Sequence, residues 1–271
     1  MTGDATSVFF SSDGLRMHAR RHRGGGGRPI VVVPGITTPA GGFASIAAEM
    51  AELAEAGDVY VLDMRGRGLS ERVGPGRHRS SDYAEDVLAL TEQAAIPQPL
   101  LVGHSLGARV VAHARATAPG YSSGVVAIDP VLSGPGRPPY PMPLDHFLHE
   151  LRGARDGHGL EQARKRFPQW PDEQVAQRAE WLATCDEVAI IESFSWFHLE
   201  AFEPAWAAVL PPAVLLAGDQ SPAVTEEDVR LLAEVNRRAT VSVVDNSGHM
   251  VPWDNLPRCL EVIGNLLKNV T

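Results

Sequence analysis

From residue 30 onward the chain repeats one pattern: a short, nearly continuous run of branched and aliphatic residues, then a stretch of helical periodicity. The runs fall at residues 30–33, 59–62, 100–102, 125–128, 214–217 and 241–244. A run this short and this apolar shows neither face to water, which marks a strand covered on both sides. The intervening stretches, at about residues 43–54, 82–94, 106–118 and 226–237 and at the C-terminus, carry apolar residues at helical spacing. Strand, helix, strand in succession calls for crossover connections, hence parallel strands. The expected architecture is α/β: a mostly parallel sheet with helices on both faces. Two further strands, at residues 8–10 and 15–22, come first, and Gly24 to Gly27 read as a flexible turn into the sheet.

The rhythm breaks after Val131 with a cluster of prolines and glycines (Gly134, Pro135, Gly136, Pro138, Pro139) and resumes near residue 207. Helical patterns without a convincing strand fill the gap. A core built from residues 1–132 and 207–271, with a helical cap at 133–206, accounts for the whole 271-residue chain as one domain with an insertion. Trp170, Trp181, Phe194, Trp196, Phe197 and Phe202 either roof a pocket or form the core of the cap itself.

A formal net charge of −9 argues against nucleic acid and anionic membrane as partners, because phosphate repulsion has no broad basic face to offset it. No run approaches the roughly 18 apolar residues of a membrane span. Met1 to Ser12 lack the basic start and apolar stretch of a secretory signal. With Cys185 and Cys259 as the only cysteines, reduced thiols and a cytoplasmic location are expected.

Gly103-His104-Ser105-Leu106-Gly107 lies between an expected strand and an expected helix, the setting that makes G-x-S-x-G a nucleophile elbow. The sharp turn pushes the Ser105 hydroxyl out above the sheet. A serine hydroxyl needs a base to take its proton, and His249, in the loop beyond the last expected strand, is the candidate. Two carboxylates end intervening strands, Asp129 and Asp219, and either can orient the imidazole. The loop Pro34-Gly35-Ile36-Thr37-Thr38 follows the first core strand. It offers the N–H of Ile36, with that of Leu106, as an oxyanion hole, and Thr37 adds a hydroxyl. Asp63 to Ser70 reads as a hydrogen-bonded structural turn, since it lacks both the third glycine of a dinucleotide fingerprint and the lysine of a phosphate loop. There is no HExxH, and His146 with His149 lacks a third ligand at a recognisable spacing, so neither metal nor another cofactor is expected.

Elbow, oxyanion loop, cap and Gly248-His249-Met250 together resemble the alpha/beta-hydrolase superfamily along the whole chain. Within it, Val33 to Thr37, Leu62 to Ser70, Asp129 to Arg137, Arg178 to Leu182 and Asp245 to Asp254 are similar to the N-formylmaleamate deformylases of bacterial nicotinate degradation. The resemblance implies a triad of Ser105, Asp129 and His249, although Asp219 stands where many members of the superfamily keep their acid. It implies hydrolysis of a small acidic N-acyl amide, N-formylmaleamate, to maleamate and formate. An anionic substrate meeting a chain of net charge −9 needs a local cation, and Arg137 at the cap hinge is the candidate; Trp181 and His198 are further expected substrate contacts. The competing readings are an esterase or lactonase acting on another small acid, and a non-catalytic ligand receptor on the same fold.

Overall fold

A computed structural model describes residues 5–269. Of the stretch Met1 to Ser12, read above as no secretory signal, the first four residues lie outside the described ones. Eight strands form one sheet: β1 (Ala5–Ser12), β2 (Leu15–His22), β3 (Arg28–Val33), β4 (Ala56–Asp63), β5 (Leu100–His104), β6 (Gly124–Ile128), β7 (Ala213–Gly218) and β8 (Thr240–Val244), in the order β1-β2-β4-β3-β5-β6-β7-β8. β1, β2 and β4 pair antiparallel, and every later pair is parallel. The alternation along β3 shows why both faces need cover: Val31 and Val33 join the core on one side, Ile30 and Val32 the core on the other.

The helices of the α/β layers are α1 (Ala44–Ala51), α2 (Ser80–Gln93) and α3 (Leu106–Thr117) before the insertion. A 3-10 turn at Ala40–Phe43 leads into α1, which is shorter than its periodicity suggests. β4 begins earlier than expected because Gly24 and Gly27 lie against its start. A Cβ on Gly27 would stand 2.1 Å from the Glu55 carbonyl oxygen, and one on Gly24 2.0 Å from that of Gly57. The tetraglycine run is therefore a close backbone approach as well as a turn.

Five helices lie between β6 and β7: α4 (Leu144–Arg155), α5 (Gly159–Arg166), α6 (Asp172–Leu182), α7 (Glu187–Leu199) and α8 (Glu203–Ala208). α8 runs through residue 206 and sides with the core. Its Trp206 is fully buried and donates from Nε1 to the Leu232 carbonyl at 3.0 Å, while the Asn236 amide donates to the Trp206 carbonyl at 2.7 Å. α9 (Glu226–Val235), α10 (Val251–Asp254) and α11 (Leu256–Asn269) complete the layers.

The inserted helices are fastened by buried guanidinium groups. Arg67 donates to the Ala189 carbonyl (3.2 Å) and the Ser193 hydroxyl (2.9 Å) of α7 and to Tyr83 Oη (2.6 Å) of α2. Arg109 on α3 reaches the carbonyls of Val131 (2.8 Å), ahead of α4, and of Glu200 (2.5 Å), just after α7. Below them Arg65 makes a two-pronged ion pair with Asp86, both fully buried. Arg65 and Arg67 have every nitrogen partnered, as a desolvated charge requires, while the Nε of Arg109 has no partner among the described residues. The turn from Asp63 to Ser70 is accordingly structural: Asp63 accepts from the N–H groups of Ala40 (2.6 Å) and Leu69 (3.0 Å).

Candidate active site

Ser105 stands between β5 and α3 at φ 58°, ψ −117°, a left-handed backbone forced by the reversal of direction. The turn closes only without side chains at its flanks: a Cβ on Gly107 would lie 1.8 Å from the Val33 carbonyl oxygen, and one on Gly103 2.2 Å from that of Gly107. The Ser105 N–H donates to the Ile128 carbonyl at 2.9 Å, which locks the elbow to β6.

The loop after β8 brings His249 over the elbow. Its Nε2 is 3.0 Å from Ser105 Oγ, and its Nδ1 is 2.6 Å from Asp129 Oδ2. Asp129, also at positive φ (45°) and fully buried, accepts in addition from the Gly218 N–H (3.0 Å) and the Ser221 hydroxyl (2.6 Å). With the carboxylate as acceptor, Nδ1 carries the imidazole proton and Nε2 is left to receive the serine proton. Asp219 is exposed and takes no part in this chain. It accepts from the Ser247 N–H at 2.9 Å, and backbone donors, that one first, hold its carboxyl below the usual range. Its contact is with the loop that carries His249.

His104, the unspecified position of the elbow pattern, has a part that the motif alone does not reveal. Its Nε2–H donates to the His249 carbonyl at 2.8 Å, and its ring lies 5.1 Å from that of His249 and edge-on to Trp253. Burial pushes its pKa down to about 3, so it stays neutral and cannot oppose a positive charge forming on His249.

Gly35 runs beside the serine, with the Ser105 Cβ 3.3 Å from where its own Cβ would be, and this approach sets Ile36 at the rim of the same cavity. Leu106 is the first residue of α3, so its N–H has no acceptor within the helix. The loop is held from above and behind. Arg67 Nε donates to the Ile36 carbonyl at 3.2 Å, and Arg178 on α6 donates to the Thr37 carbonyl at 2.5 Å and to Thr37 Oγ1 at 3.0 Å.

A narrow cavity opens at Ser105 and His249 and is closed by the inserted helices through Tyr140, Met142, Phe147, Phe167 and three charged groups, Glu150, Arg166 and Arg178. Thr37 lines it. Arg137, Trp181 and His198 do not. Arg137 points to the far side of the hinge, where it pairs with Asp228 and Glu203 at the start of α9 and of α8. Trp181 lies on Gly41, whose Cβ would fall inside the indole. His198 stands behind the wall: its Nδ1–H donates to the Phe194 carbonyl (2.7 Å) and its Nε2 accepts from the Tyr140 N–H (3.1 Å). The aromatic residues divide similarly, Phe194 and Phe197 packing behind Tyr140 and Phe147, and Trp170 stacking between Phe167 and Trp253. The cavity cations are Arg166 and Arg178. One signal for the latter was available, an arginine between Val175 and Leu182 on the buried stripe of α6.

A second chain of the same residue types links Ser7, His18 and Asp63, with His18 2.7 Å from Asp63 and 3.0 Å from Ser7. Ser7 sits in extended strand β1 and not on a strained turn, so this chain ties strands together. Among the described residues no group of three or more His, Cys, Asp or Glu is placed to hold a metal ion, and no helix is long and apolar enough to cross a membrane. Both cysteines are free and buried; burial pushes the Cys185 thiol up to about 11 and that of Cys259 up to about 12.

The sequence profile of the alpha/beta hydrolase family matches residues 30–259. The chain belongs to the alpha/beta hydrolase family. This hydrolase is 38% identical over 261 residues to an N-formylmaleamate deformylase of Pseudomonas putida, a match that covers 96% of this chain and 95% of the relative. It is similar, at 36% identity over 132 residues covering 48% of this chain and 46% of the relative, to a 2-(acetamidomethylene)succinate hydrolase of Mesorhizobium japonicum. Among solved structures, a serine-to-alanine variant of the N-formylmaleamic acid deformylase from Pseudomonas putida S16 superposes with a TM-score of 0.87 at 32% identity, covering 95% of this chain and 100% of that one.

Proposed function

We propose that this hydrolase cleaves N-formylmaleamate to maleamate and formate, with Ser105 as nucleophile, His249 as acid and base, and Asp129 as the orienting carboxylate. The observation that carries the choice of substrate is the 38% identity along 96% of the chain to a deformylase of that name. The reaction class rests on the Ser105–His249–Asp129 hydrogen bonds opening into a cavity that holds two guanidinium groups.

Ser105 Oγ attacks the formyl carbon as its proton passes to His249 Nε2, and Asp129 stabilises the imidazolium that forms. The oxyanion rests on the N–H groups of Ile36 and Leu106, each such donor contributing about 3 kcal/mol in comparable sites. The imidazolium returns its proton to the departing maleamate nitrogen. Because that nitrogen is already acylated, conjugation spreads its developing charge and it leaves more readily than a plain amine. A water then gives its proton to His249, its oxygen adds to the formyl-serine, and formate leaves as Ser105 recovers its proton. The substrate carboxylate is held by the cap-side guanidinium groups and not by Arg137.

The test is a panel of N-formylmaleamate, its N-acetyl analogue and a short-chain ester, with quantification of the acid released. Formate release from the first should dominate. Efficient ester or lactone cleavage with no formate from N-formylmaleamate would overturn the substrate and leave the serine chemistry standing.

A further inference from the structure

We propose that Glu150 sets the charge of the substrate this hydrolase accepts: it cancels one of two guanidinium charges at the cap end of the cavity, so that one negative charge, neither none nor two, is matched there. This rests on the reading that the substrate is a small acidic N-acyl amide.

Glu150 projects from the buried side of α4, beside Phe147 and Leu151. Its Oε1 lies 3.1 Å from Arg166 Nη1 and its Oε2 3.3 Å from Arg178 Nη2. His146, one turn earlier and half-buried, is 3.2 Å from the same Oε1. Arg166 and Arg178 supply +2 and Glu150 −1, which leaves +1 in a space shielded by protein on most sides. Of the other titratable groups, His146 touches Glu150 and Arg166 from the solvent side and does not line the cavity. His104 is neutral, and burial raises the Tyr140 phenol well above its ordinary value, so it stays protonated. Asp129 belongs to the opposite end, behind His249, and its charge is met by three donors of its own.

The two arginines are not equivalent. Arg178 is committed to the oxyanion loop through both oxygens of Thr37 and to Glu150. Arg166 binds both Glu150 and His146 Nε2 with one amino group, while the other rests, among the described residues, only on the Met142 sulfur at 3.2 Å, a weak acceptor that a carboxylate readily displaces. The substrate carboxylate therefore docks on Arg166, and Glu150 is the group that a second carboxylate would meet. A neutral substrate leaves the spare positive charge unmatched, and a dianion brings a negative charge against Glu150.

Two substitutions move the count in opposite directions. With wild type, Glu150→Gln and Arg166→Gln, kcat/KM is measured for N-formylmaleamate, its neutral methyl ester, and a dicarboxylate counterpart, 2-(formamidomethylene)succinate. Wild type prefers the monoanion. Glu150→Gln raises the dianion-to-monoanion ratio roughly tenfold or more, and Arg166→Gln raises the neutral-to-monoanion ratio by a similar factor, as one full charge a few ångströms away in a shielded site requires. Fluorophosphonate labelling of Ser105 reports that each variant is folded; if one is not, the other decides alone. Ratios unchanged within about twofold in a folded variant overturn the proposal, since a charge at that distance acts more strongly. If wild type releases formate from none of the three, the deformylase reading is what has failed. The same ratios are then taken on p-nitrophenyl esters whose acyl groups carry none, one or two carboxylates, where the charge rule makes the same prediction.

Discussion

Replacing Asp129 by asparagine tests the site at its most buried member, and the structure fixes what the new amide would do. One carboxylate oxygen accepts from the Gly218 N–H and the other from His249 Nδ1 and the Ser221 hydroxyl. The backbone donor cannot rotate away, so the asparagine carbonyl takes the Gly218 side and its NH2 faces His249. The imidazole must then accept at Nδ1 and carry its proton on Nε2, pointing it at Ser105 Oγ, where it cannot act as a base. The lost charge adds to this. A carboxylate and an imidazolium about 4 Å apart attract by roughly 4 kcal/mol at an effective dielectric near 20, about a thousandfold in rate. Together the two effects place the loss in kcat on the order of 10⁴-fold. Asp219→Asn removes an exposed charge while its side-chain carbonyl can still accept from the Ser247 N–H, and should cost less than about tenfold. The assay is formate release by both variants, with circular dichroism and thermal melting to show that each is folded. A folded Asp129→Asn protein within about tenfold of wild type, or a larger loss in Asp219→Asn, would rule out Asp129 as the orienting carboxylate.

Gly107→Ala should prevent folding or lower Tm markedly, because its Cβ has the Val33 carbonyl oxygen at 1.8 Å and that of Pro34 at 2.6 Å; an unchanged melting curve would contradict the elbow geometry. Asp86→Asn leaves the fully buried Arg65 guanidinium with only the half-exposed Asp13 carboxylate, at 3.5 Å, as a charge partner among the described residues, so urea denaturation should show a loss of about 3 kcal/mol, and a loss below about 1 kcal/mol would argue against the pair. Burial depresses the pKa of His22 to about 4 and of His78 and His104 to about 3, so the unfolded chain gains their protons first as pH falls. Their contribution to stability is complete above pH ~6.5 and is lost as pH falls from there toward ~4, at up to about 1.4 kcal/mol per pH unit for each histidine; a urea midpoint flat across that interval would contradict it.

What the sequence disclosed and what it withheld separate along a physical line. Ser105 and its glycines were legible because a sharp strand-to-helix turn is a local event, specified by five consecutive residues. The sheet was legible because a strand buried on both faces must be apolar throughout. The acid was legible only through the family resemblance: Asp129 and Asp219 both end strands, and in the structure Asp129 lies at a positive φ with its carboxylate on His249, while Asp219 binds the loop that carries it. The cavity charges were harder still. Arg137 drew attention through its nearness in sequence to Asp129, yet the hinge turns it onto Asp228 and Glu203, while Arg166 and Arg178 arrive from helices whose packing no local pattern encodes. His198 and Trp181 fell one layer short, behind Tyr140 and on Gly41.

Removal of the formyl group from N-formylmaleamate by Ser105, activated by His249 and Asp129, is the reaction proposed. Its most direct test follows formate and maleamate together in wild type and in Ser105→Ala. Wild type should release the two products in equal amounts, and a Ser105→Ala protein that still melts as a folded chain should lose several orders of magnitude in rate. Formate release that persists in that variant, or its absence in wild type, would contradict the proposed reaction.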